Sequence, residues 1–181
     1  MNKLITTATL LLLVPLLPVR AQEHQRVSPH ETVSATIDGA NIKIVYGRPY
    51  TKDPKTKEMR KIWGGLVPFG QVWRMGADEA TTLTTDQDIA IGGTRIPAGS
   101  YSLFLQPEEN GPAKLIVNKQ TGQGGLDYDA KQDLGKVKMT MTKPPALVEQ
   151  LTYTLASTGG NKGKLTLSWE NVVASVNFTT K

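Results

Sequence analysis

The feature that most restricts this chain is a two-residue hydrophobic period that recurs along nearly its whole length. Val33, Ala35 and Ile37 alternate with Ser34 and Thr36, and Ile42, Ile44 and Tyr46 alternate again after the turn-forming Asp38-Gly39-Ala40-Asn41. Successive side chains of a strand point to opposite faces, so this pattern specifies half-buried strands, and the intervening turn specifies a hairpin. Ile89 and Ile91 run into Gly92-Gly93, with Thr94-Arg95-Ile96 returning. Tyr101, Leu103 and Leu105 share one face, and Ala113 to Val117 reads as the next strand. Val137, Met139 and Met141 follow, then Leu151, Tyr153 and Leu155 after Pro144-Pro145. Leu165, Leu167 and Trp169, with Val172, Ala174, Val176 and Phe178, form a closing pair. About ten short strands with turn signals between them predict an all-β fold, an antiparallel sandwich or barrel-like domain with one long irregular loop. A polar face on most strands argues against a parallel sheet covered by helices.

The N-terminus reads as an address. Lys3 precedes the apolar run from Leu10 to Leu17, and Val19-Arg20-Ala21 leads into polar Gln22-Glu23-His24-Gln25. That order is a secretory signal over residues 1–21, cleaved near Ala21; the run is short for a bilayer span and is broken by Pro15 and Pro18. The expectation is a periplasmic or secreted bacterial protein whose single β-rich domain occupies 22–181, with its core at about 28–181, and no stable membrane span after cleavage. Loss of Lys3 and Arg20 leaves 19 basic against 16 acidic side chains, a net charge of +3. With no basic run interleaved with aromatics, no nucleic-acid partner is expected. The chain has no cysteine, which excludes disulfides, thiolate metal sites and a cysteine nucleophile. It suits an oxidising compartment, where an unpaired thiol is a liability. Its two histidines are His24 and His30. Only the second falls in the folded region, so no metal and no cofactor are expected.

Residues 46–81 break the alternation. This stretch holds Trp63 and Trp73, Phe69, and the arginines Arg48, Arg60 and Arg74. A long non-repeating connection in a compact domain is usually functional or a covering flap. Both readings stand here: a lid anchored on the core by its aromatics, or a surface that presents them.

Within and beyond this stretch the chain resembles the DUF2911 family of exported bacterial proteins. The resemblance rests on four motifs: Tyr46-Gly47-Arg48-Pro49; Gly65-Leu66-Val67-Pro68-Phe69-Gly70-Gln71-Val72-Trp73-Arg74-Met75-Gly76-Ala77-Asp78-Glu79-Ala80-Thr81; Pro97-Ala98-Gly99-Ser100-Tyr101-Ser102-Leu103; and Asn118-Lys119. It extends over roughly residues 28–181. The family commonly carries Ser at the position of Gly47 and often Asn at that of Asp78. The resemblance implies secretion and a β-rich fold; the family's function is unassigned, so it implies no chemistry.

The residues themselves suggest where chemistry would lie. Arg48 and Arg74 offer planar forks of donors suited to carboxylate or phosphate. With Trp63 and Trp73 beside them they would form a pocket for a carbohydrate or small anion. Alternatively Arg74 pairs with Asp78 or Glu79 and pins the loop. Asp78 and Glu79 could act as acid or base, although neighbours on an extended chain point opposite ways. Tyr101, Asn118 and Tyr128 complete the candidate ligand-binding set, Tyr101 also reading as an inward-packed strand residue. The leading expectation is an exported module that binds a small polar or anionic ligand. The alternative is a hydrolase or lyase using Glu79 or Asp78 with Arg48 or Arg74.

Overall fold

The computed structural model describes residues 26–181, so the expected signal over 1–21 lies outside the described residues. In chain order the strands are β1 (His30–Ile37), β2 (Ala40–Gly47), β3 (Ala77–Thr85), β4 (Ile89–Ile91), β5 (Thr94–Ile96), β6 (Gly99–Gln106), β7 (Lys114–Asn118), β8 (Asp133–Lys138), β9 (Thr140–Thr142), β10 (Val148–Gly159), β11 (Lys162–Glu170) and β12 (Val172–Thr180). The one helical element among them is a single 3-10 turn, Ala130–Gln132. No helix among the described residues is long and apolar enough to cross a membrane.

All strand pairs are antiparallel, in two sheets. The first runs β1-β2-β3-β6-β7-β8 and the second β10-β11-β12-β4-β5, with β9 also paired to β12. The sheets pack face to face as an open sandwich; β1 lies against β10 and β5 against β8 without joining the two sheets into a closed barrel. The hairpin read at Asp38-Gly39 is present, with both residues at positive φ (49° and 81°). That is the twist a two-residue turn needs to match right-handed strands.

Alternation decides which side chains fill the gap between the sheets. Ile42, Ile44, Leu83, Leu103 and Leu115 face Leu151, Leu165, Leu167 and Trp169 in one continuous core, each at most 2% exposed. One run departs from its expected form. Val137 to Met141 reads as a single strand, but the chain turns a corner at buried Met139, so that β8 pairs with β7 and β9 pairs with β12 in the opposite sheet. A strand can change sheets at a bend and still keep both ends hydrogen-bonded.

The irregular stretch closes one end of this sandwich. Ile62, Trp63, Val67, Trp73 and Met75 are all buried in the shared core. The three indoles meet there: Trp73 stacks on Trp169 at 5.8 Å, and Trp63 stands edge-on to both, at 6.0 and 6.5 Å. Such pairs add to the large apolar area each ring removes from water. A smaller cluster of Ala80, Phe104 and Ile116 lies on the outer face of the first sheet, covered by Val72 and Tyr128.

Candidate functional site

Strand pairing itself creates the site. Trp73 and Leu105 exchange backbone hydrogen bonds, each 2.8 Å, while Thr81 pairs with Leu103 on the same β6 strand. Residues 74–80 therefore stand opposite Phe104 alone and are forced away from β6 as a broad bulge, Ala77 still pairing with Gly47 of β2. Bulges re-aim side chains, and this one does so twice. Asp78 has φ +64°, a left-handed conformation that breaks the alternation of the strand. Its carbonyl accepts from Gly125 N at 3.2 Å, and Glu79 forms a bridge to Gly124, so a second loop braces the bulge. The approach is close: a Cβ on Gly125 would lie 1.9 Å from Arg74 Cδ and 2.5 Å from Asp78 O. Only glycine fits there.

The bulge sets Asp78 and Glu79 on the same side, contrary to the opposed directions expected of an extended pair, and His30 at the start of β1 faces them. His30 Nε2 lies 3.0 Å from Glu79 Oε2 and 3.8 Å from Asp78 Oδ2. Arg26, just before β1, forms a bidentate pair with Glu79 at 2.6 and 2.9 Å. The same Arg26 Nη1 stands 2.7 Å from His30 Nε2. A guanidinium only donates, so in this contact His30 Nε2 is the acceptor. The Arg26 hydrogen bonds hold the Glu79 carboxyl far below its ordinary value, at about 2, and Glu79 in turn raises Arg26. Among the described residues none hydrogen-bonds to the Asp78 carboxylate; Arg26 Nη1 is 3.9 Å away.

Arg26, His30 and Glu79 line a cleft of about 290 Å³, together with Val45, Ala80, Thr82, Gly122 and Gln123. Gln123 Nε2 donates to Ser102 Oγ at 3.0 Å, while its Oε1 is buried without a partner among the described residues.

The other expected site residues are not brought here. Arg48 is spent on structure: Nε donates to Leu151 O at 2.9 Å, Nη2 to Thr152 Oγ1 at 3.0 Å, and Nη1 pairs with Glu31. It ties β1 to β10. Arg74 pairs with neither Asp78 nor Glu79, which correct to Arg26 and His30 as their neighbours; its Nε is buried without a partner among the described residues. Trp63 and Trp73 point inward to Trp169, so the shared pocket of two arginines and two indoles is not formed. Tyr101 is buried, donates to Pro97 O at 2.9 Å, and has its hydroxyl pKa raised by that burial. Asn118 is fully buried, donating to Asp129 O and Asp133 Oδ1 and accepting from Gln120 N. Tyr128 packs on Phe104 and donates to Asp133 Oδ2 at 2.7 Å; burial, then Asp133, pushes its pKa up. Of the expected residues, Glu79 alone lines the cleft, with Asp78 beside it, 3.8 Å from His30.

Arg26, His30 and Gln123 were not legible as site residues. Their one local signal was His30 near the start of the folded domain, and its partners lie some 50 positions away.

The motif-bearing segments thus prove to be the framework of the bulge and its lid. Residues 28–178 match the family described as "Protein of unknown function (DUF2911)". The chain belongs to that family. The match spans both sheets, the bulge and the bracing loop, leaving Arg26 just outside it. Neither a curated protein nor a solved structure matches the chain.

Proposed function

We propose that this DUF2911 member is an exported bacterial module, periplasmic or secreted after cleavage near Ala21, that binds a small polar ligand in the cleft between the 74–80 bulge and Gln123. The observation that carries the reading is the cleft's chemistry. Arg26, His30 and Glu79 border a surface that includes the apolar Val45 and Ala80, with Asp78 beside them and Gln123 also lining the cleft. A few fixed polar groups around an apolar patch suit a molecule with hydroxyls on a carbon skeleton. One guanidinium against two carboxylates leaves no excess positive charge, which favours a neutral carbohydrate-like ligand over an anion. The acid–base alternative has less support, because Glu79 is held ionised rather than raised toward neutral pH, and Arg48 is engaged elsewhere.

The test is a thermal-shift panel of neutral saccharides, sugar acids and phosphates in chelator-containing buffer. A rise in Tm with a neutral saccharide, lost in Gln123→Ala, is the expected result. A flat response across the panel overturns the reading. Export is tested separately by mass spectrometry of the protein recovered from its bacterial host, with Gln22 expected as the first residue.

A further inference from the structure

Side chains from two separated stretches converge on one point: one ligand atom each from His30, Asp78 and Glu79 all lie within 4.8 Å of one another. A cationic nitrogen, Arg26 Nη1, sits among them at 2.7, 2.6 and 3.9 Å. We propose that His30, Asp78 and Glu79 are a three-ligand site for a divalent cation of the zinc class, at the point Arg26 Nη1 marks. This rests on the cleft being a ligand site and names a metal as one of the things it takes.

The donor geometry carries the argument. Tetrahedral coordination with bonds of ~2.1 Å separates neighbouring ligand atoms by ~3.4 Å. The separations from His30 Nε2 are 3.0 Å to Glu79 and 3.8 Å to Asp78, on either side of that value. Small side-chain rotations of exposed groups reach it. An imidazole nitrogen and two carboxylate oxygens are all ligand types that such a cation takes.

An exposed ion pair alone would explain Arg26 and Glu79, but not Asp78. Its carboxylate is turned toward the same point through a left-handed backbone and has no hydrogen bond there among the described residues. Arg26 satisfies two acceptors and leaves the third. A divalent cation satisfies all three. One imidazole with two carboxylates suits zinc, cobalt or nickel better than calcium or magnesium, which favour all-oxygen sets. Three protein ligands leave a fourth position open for a hydroxyl or water. Arg26 is 47% exposed and held by a surface ion pair, so it can be displaced, and it competes with the metal for the site.

The experiment is isothermal titration of untagged, EDTA-stripped protein with zinc chloride alone, followed by the visible spectrum of the cobalt-loaded form. One ion per chain is expected. His30→Ala, Asp78→Asn and Glu79→Gln should each weaken binding roughly tenfold or more, while Arg26→Gln should strengthen it. Circular dichroism and Tm of each variant check folding, which these exposed positions should leave intact. Binding seen only in Arg26→Gln, and lost when His30→Ala is added, also supports the site. No binding in either the native chain or Arg26→Gln overturns it, as does binding that His30→Ala leaves unchanged. The saccharide panel is run in chelator, so a failure of the metal site and a failure of the carbohydrate reading are separate outcomes.

Discussion

The two halves of the irregular stretch behave in opposite ways. Its first part, through Trp73, buries indoles, with Trp63 and Trp73 each 9% exposed, and serves as the end wall of the sandwich. Its last part, 74–80, is squeezed out between two hydrogen-bonded anchors and carries Asp78 and Glu79 into solvent, their side chains 48% and 51% exposed. One segment, with one composition, yields both a core element and a presented cluster. What separates them is local geometry: Trp73 is bonded to Leu105 and lies in the core, whereas in the 74–80 stretch Met75 and Ala80 stay buried while Asp78 and Glu79 alone are exposed.

The difference can be broken first on the buried side. Trp169→Ala removes the ring on which Trp73 stacks, at a fully buried position, and should cost about 3–5 kcal/mol in urea unfolding. A loss below about 1 kcal/mol would mean that the end wall does not hold the sandwich together. Arg48→Ala should cost about 2 kcal/mol, because it strips charge-assisted bonds from Leu151 and Thr152 and leaves Glu31 unpaired. If that variant instead keeps full stability and loses ligand response, Arg48 is a binding residue after all. Gly125→Ala sharpens the boundary between the regions. Its Cβ would meet Arg74 and the Asp78 carbonyl, so a cost of about 1–3 kcal/mol is expected together with a displaced bulge, read as shifted amide resonances of Asp78 and Glu79.

The smallest effect belongs to the exposed side. Glu79→Gln should move Tm by less than about 4 °C, since a solvent-screened pair contributes little. Its signature is in titration. The folded Glu79 carboxyl is depressed to about 2, so its contribution is present above its ordinary pKa and is lost as pH falls through the interval down to about 2. Carboxyl NMR should place its midpoint near 2 in the native chain, and Arg26→Gln should return it toward the ordinary carboxylate range. An unchanged midpoint would remove Arg26 from the cluster.

Much of the architecture was readable because burial in a sheet is a local rule. The alternation at Val33–Ile37, Ile42–Tyr46 and Leu165–Phe178 names inward faces without knowledge of partners, and the observed strands follow it. The corner at Met139 escaped, since a strand that changes sheets keeps the same alternation. The candidate site was read less well. Trp63, Trp73, Arg48 and Arg74 stood out by residue type, but type does not say whether an indole or a guanidinium faces the core, a seam or a cleft. Tyr101, Asn118 and Tyr128 likewise have their polar atoms satisfied inside the fold.

By itself the amino-acid order determined the sheet character, the hairpin turns and the segment that would depart from them, because each depends on neighbours two to four residues apart. Only the tertiary structure decided that His30, Asp78 and Glu79 share a point with Arg26. That convergence depends on seven residues, 74–80, standing opposite Phe104 alone on β6, with Trp73 bound to Leu105 and Thr81 to Leu103. Long-range pairing creates such a mismatch, and no local pattern of side chains encodes it.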